Sequence, residues 1–126
     1  MSAYPTNGSN PDTWDAALKT WLDQFLAGPG LGEVTLGVGA ATIAVANRMV
    51  TVTGDAGGTT VTTITGGIAG QDLILIFVDD KVTITDDATK AANTVNLSAA
   101  FTSAANATLH LGFDGTSWYE IARSTN

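Results

Sequence analysis

At 126 residues the chain is long enough for one domain with a short appendage, and the absence of cysteine excludes disulfides and thiolate metal sites. A formal net charge of -7 argues against a nucleic-acid or anionic-membrane surface, because both rest on clustered positive charge. Every apolar run is far shorter than the ~20 residues of a membrane-spanning helix, residues 1–10 have no signal-peptide pattern, and 13% charged residues with abundant Gly, Ala and Thr fit β-structure with short turns rather than disorder.

Residues 1–10 carry Pro, Asn, Gly and Ser and read as a mobile arm. Asn10 is a good N-cap and Pro11 suits the first helical position, so a helix is predicted from Pro11 to about Ala27, ended by Gly28-Pro29-Gly30. Asp12 and Asp15 sit at the positive end of its dipole. Its apolar residues are Trp14, Leu18, Trp21, Leu22 and Phe25, and four of them step by four, three and four, as in a heptad seam. That seam either packs on the chain's own sheet or forms an interface with symmetry mates or a partner protein. The expected organisation is therefore an arm and amphipathic helix over 1–30, followed by a β-rich domain over 31–126.

From residue 31 onwards the pattern has period two. Val34, Leu36 and Val38 alternate with polar or small residues, Ile43 and Val45 follow, and Val50 and Val52 come after a possible tight turn at Asn47-Arg48. Gly54 to Gly58 is a loop, and Thr59 to Thr65 reads as one β-branched strand. The stretch from Gly66 to Asp87 is expected to organise the rest. Within it, Leu73 to Val78 is an unbroken apolar run that reads as a strand buried on both faces, and Lys81 to Thr85 is a half-buried strand paired with it in a hairpin through Asp79-Asp80. Asp86 to Asn93 is a polar loop, Val95 and Leu97 a short strand, and Phe101 a core plug from a segment with little other signal. Leu109, Leu111 and Phe113 alternate again, Asp114-Gly115 is a strong turn signal, and Trp118, Tyr119 and Ile121 mark the last strand.

These segments predict a mainly β fold: short antiparallel strands in a sandwich, a barrel or a trimeric β-helix-like stack, with one N-terminal amphipathic helix. No fixed-period repeat is visible, so a solenoid of many copies is not expected.

Chemical motifs are few. His110, the sole histidine, lies between Leu109 and Leu111 and so faces away from them, as a surface or interface residue. A catalytic role would need a nucleophile and an orienting partner, and no G-x-S-x-G elbow or phosphate-cradling G-x-x-x-x-G-K-[ST] loop occurs. The pairs Asp79-Asp80 and Asp86-Asp87 flank one short strand. Its two ends are roughly 20 Å apart at ~3.3 Å per residue, so the pairs cannot share one ion and read as turn-forming residues. Trp118 and Tyr119 point to opposite faces. Trp118 is expected in the core, and either could stack on a sugar only if exposed. No enzyme activity, cofactor or metal is expected.

The order ITGGIAGQDLILIF, then VTITDD, then LSAAFTSAANATLHLGFDGTSWYEIARS resembles a β-module of tailed-bacteriophage virion proteins over about residues 60–124. Its most specific piece is Phe113-Asp114-Gly115-Thr116-Ser117-Trp118-Tyr119-Glu120. The family includes head decoration (cement), fibre and spike proteins, usually trimeric, and has no catalytic residues to carry over. The resemblance implies a structural role in the virion, assembled in the bacterial host cytoplasm, with partners in the chain itself as a homotrimer and in the major capsid protein or another virion protein. A chain this short favours a capsid decoration protein; the alternative is a tail fibre, spike or tail adaptor with receptor or glycan binding.

Overall fold

The computed structural model divides the chain at Gly30 into two units and describes residues 30–126 together with Leu18. The predicted helix over 11–27, with Trp14, Trp21, Leu22 and Phe25, lies outside the described residues. Of that seam Leu18 alone is described, as helical and exposed.

Residues 31–126 form a stack of strands wound in turns. β1 (Gly32–Thr35) and β2 (Thr42–Ala44) make the first turn. β3 (Met49–Thr53), β4 (Thr59–Val61) and β5 (Thr63–Thr65) make the second. β6 (Asp72–Phe77), β7 (Val82–Ile84) and β8 (Val95–Asn96) make the third. The chain then folds back through β9 (Phe101–Thr102), β10 (Thr108–Phe113) and β11 (Trp118–Ser124). One sheet has six strands in the order β1-β3-β6-β10-β11-β8, a second has β4-β7-β9, and β2 pairs with β5.

The mainly β expectation is thus borne out, and of the sandwich, barrel and stack left open it is a stack that forms, but its strands, expected to be antiparallel, pair mostly in parallel. β1 with β3, β3 with β6, β4 with β7, β2 with β5 and β8 with β11 are parallel, and antiparallel pairs appear only where the chain folds back. A solenoid-like winding explains this, since successive turns travel in the same direction. The turns have unequal lengths, which hid the repeat: Gly32 pairs with Val50, 18 residues on, Thr42 with Thr63, 21 on, Thr59 with Val82, 23 on, and Met49 with Ile74, 25 on.

The predicted Gly66–Asp87 hairpin does not form. β6 lies between β3 and β10, and β7 between β4 and β9. A tight two-residue hairpin turn needs positive φ, which neither Asp79 nor Asp80 adopts. Asp79 instead accepts the N–H groups of Gly54 and Lys81 and makes a corner that sends the chain onto the next sheet. The strand expected over Thr59–Thr65 also breaks at Thr62 into β4 and β5, whose residues belong to different sheets. β6 is fully buried on one face only: Leu73, Leu75 and Phe77 are inside, Ile74 and Ile76 are half-buried, and Val78 is 52% exposed. Val38, expected to alternate inward with Leu36, is exposed.

The interior fills in layers that grow in bulk along the stack. Leu36, Ile43, Val50, Val52, Val61 and Ile64 occupy the first two turns. Leu73, Leu75, Phe77, Val82 and Ile84 fill the third, and Phe101, Leu109, Leu111, Phe113 and Trp118 close the C-terminal end. Fully burying each such side chain contributes on the order of 1.5–3 kcal/mol. The fold-back strands therefore act as a cap, which a stack of turns needs in order to end its hydrophobic interior.

Two glycines at the start of β6's turn admit no side chain. Gly66 has φ +94° and a Cβ there would lie 2.1 Å from the Val45 carbonyl oxygen, while a Cβ on Gly67 would lie 2.6 Å from the Trp118 ring. Gly66→Ala is expected to cost at least about 1–3 kcal/mol from backbone strain alone, read as a lowered urea midpoint. Gly70→Ala, strained at φ +87° but in open space, should cost less.

Candidate interaction surface

The outward face of the six-stranded sheet mixes apolar side chains with polar and charged ones. Strand alternation sends Val50, Val52, Leu73, Leu75, Leu109 and Leu111 inward and their neighbours outward. Across this outward face, Met49 pairs with Ile74, Ile74 with His110 and His110 with Ala122. In the next row Glu33 pairs with Thr51, Thr51 with Ile76, and Ile76 with Thr108. Met49 is 42% exposed and Ile121 58%.

Ile121 reaches this face through a register shift. His110 pairs with Ala122 and Leu111 with Glu120, so Ile121 is an extra residue in β11, a β-bulge. It lies over Gly112, where an added Cβ would come 3.3 Å from its Cδ1. Tyr119, paired with Gly112, completes the apolar area, with its hydroxyl 3.4 Å from Ser117 Oγ.

A charged cluster sits on the same face. Arg48 Nε donates to Asp72 Oδ1 at 3.0 Å and also reaches it through Nη2, while His110 Nε2 lies 3.2 Å from Asp72 Oδ2. Hydrogen bonding from Arg48, against a smaller opposing effect of burial and with help from His110, holds the Asp72 carboxyl below the usual range. The strand order β3-β6-β10 brings together residues 24 and 38 positions apart in sequence. No local sequence signal points to this cluster, because it depends on which strands are neighbours.

The expected turn aspartates serve backbone groups. Asp86 accepts Leu97 N–H, Asp87 accepts Thr89 N–H, and Asp114 accepts the N–H groups of Thr116 and Ser117. The Thr89 hydroxyl and N–H lower the pKa of Asp87, and the Ser117 and Thr116 N–H groups lower that of Asp114. Among the described residues no group of three or more His, Cys, Asp or Glu is placed to hold a metal ion. Trp118 is fully buried and takes no part in any surface, which removes it as a sugar-stacking residue.

The two ends of the stack differ. Among the described residues β1 has a strand neighbour on one side only, β3. At the other end Glu120 accepts the Ser98 N–H at 2.8 Å and pairs with Arg123, whose guanidinium lies 5.4 Å over the Phe101 ring and donates to the Ala99 carbonyl. This clamp ties residues 98–101 to β11. Comparison with protein-family models, with curated proteins and with solved structures finds no match to this chain.

Proposed function

We propose that this protein is a structural component of a tailed-bacteriophage virion, a capsid decoration (cement) protein that assembles as a homotrimer on the major capsid protein. The observation that carries this reading is the apolar outward face of the six-stranded sheet, in a chain whose net charge is otherwise strongly negative. An exposed apolar sheet face rimmed by polar residues marks an interaction site. Such a protein works by burying apolar area at junctions between capsomers, so shape and symmetry carry its function and no bond is made or broken.

A tail fibre, spike or tail adaptor is the second reading. It is favoured by the parallel stacking of turns and by the one-sided β1 edge, where a longer stacked shaft could continue. Quantitative gel analysis of purified particles separates the two. A decoration protein is expected at hundreds of copies per particle, in near-integral ratio to the major capsid protein. A few copies per particle would favour the tail, and absence from particles would end both.

A further inference from the structure

We infer that Asp114-Gly115 is the place where this chain rearranges its own backbone, by succinimide formation and hydrolysis to isoaspartate, and that the folded turn between β10 and β11 holds this reaction in check.

Both reacting groups lie in the turn. Asp114 is the chain's only aspartate followed by glycine. Attack on an aspartyl carboxyl by the next residue's main-chain nitrogen is hindered by that residue's side chain, and glycine has none. Asp114, Gly115 and Thr116 are all exposed, and among the described residues the Gly115 N–H donates to no acceptor. The nitrogen is open, and water has access. In the step itself the Gly115 nitrogen bonds to Asp114 Cγ, the C–OH bond of the neutral carboxyl breaks, and the amide proton leaves with the hydroxyl as water. A second water then opens the five-membered ring. Opening at Cγ restores aspartate. Opening at the main-chain carbonyl routes the backbone through Cγ, which adds one methylene to it.

The fold opposes ring closure. Asp114 Oδ1 accepts the Thr116 N–H at 2.8 Å and the Ser117 N–H at 2.9 Å, and the Asp114 N–H donates to the Ser117 carbonyl at 3.2 Å. These bonds fix the carboxyl and the main chain beside it, so the ring closes only when the turn loosens. They also favour the carboxylate, whose oxygen leaves far less readily than the hydroxyl of the neutral acid. Gly115 holds the turn at φ +103°, and the buried Ser117 and Trp118 follow directly. The added methylene of isoaspartate therefore meets a fixed layer.

The test is peptide mapping of the full chain by mass spectrometry after prolonged incubation in mildly acidic buffer, once folded and once in urea, with circular dichroism to verify each state. Isoaspartate is identified by its shifted elution and by enzymatic methylation of its carboxyl. Trypsin places Asp114 in the peptide after Lys90, apart from Asn7-Gly8, which falls in the peptide ending at Lys19. In the unfolded chain isoaspartate is expected at position 114 ahead of every other aspartate. In the folded chain its rate should be lower by about 10-fold or more, because only the open turn reacts. Asp114→Ser should remove the signal. Isoaspartate arising first at another aspartate of the unfolded chain, or none at position 114, overturns the assignment of the site. A folded rate equal to or above the unfolded one overturns protection by the turn.

Discussion

Trp118→Ala is expected to lower unfolding free energy by about 3–5 kcal/mol, the usual cost of truncating a large buried aromatic. Trp118 has no exposed surface, and its ring lies 4.6 Å from that of Phe113, tilted by 37°. It is the largest side chain of the C-terminal layer, and Gly67 has no side chain so that the ring can pass against the backbone. Its Nε1 donates to the Ile64 carbonyl at 2.9 Å, which ties the fold-back strand β11 to β5 of the second turn. The alanine variant loses packing and leaves a buried carbonyl without this donor. Against a typical domain stability of about 5–15 kcal/mol, that is about a fifth or more of the total. Trp118→Phe should separate the contributions: it keeps most of the ring area and loses the hydrogen bond, for about 1–3 kcal/mol. Urea unfolding of the three proteins measures both. An alanine variant within 1 kcal/mol of the parent would show that the C-terminal cap does not hold the stack.

Acid should weaken the same end of the molecule through Glu120. Its carboxyl is held down to about 2, first by the Arg123 hydrogen bonds and then, against burial, by the Ser98 N–H. The ordinary value is 4.5, so the folded state binds this proton less readily than the unfolded chain. The resulting stabilisation is fully present above about pH 4.5 and is lost progressively as pH falls towards 2. A shift of this size corresponds to roughly 3 kcal/mol at ~1.4 kcal/mol per pKa unit. The side chains of Glu120 and Arg123 are 12% and 27% exposed, so screening reduces this only in part, to about 2–3 kcal/mol. Glu120→Gln should therefore be less stable than the parent by about that amount at pH 7, and the two stability curves should converge between pH 4.5 and pH 2. The glutamine variant keeps some acid sensitivity, because Asp72, Asp87 and Asp114 are also held below their ordinary values. Parallel curves for the two proteins, measured by urea unfolding at several pH values, would remove the Glu120–Arg123 clamp as the source.

Much of the inside of this protein was legible. Alternation placed Val50, Val52, Leu109 and Leu111 in the core, composition placed Phe101 and Trp118 there, and Asp114-Gly115 marked the turn joining β10 to β11. His110 faces outward, as its position between two leucines requires. The outward face of the six-stranded sheet was much less legible. Ile74 and Ile76 read as the second buried face of a central strand, and the bulge that exposes Ile121 leaves no mark in a run of three apolar or aromatic residues around Glu120.

The division has a simple physical origin. A side chain's direction along a strand is a local property: alternation and the cost of exposing apolar area determine which residues are buried, and the sequence alone suffices for that. The neighbour of each strand is a long-range property, because any extended segment offers the same backbone donors and acceptors to any other. Only the tertiary winding, set by corners such as Asp79 and by the close passage of Gly66 beneath Val45, chose parallel turns over a hairpin. That choice also brought Arg48, Asp72 and His110 onto one face and left Met49 and Ile121 exposed beside them.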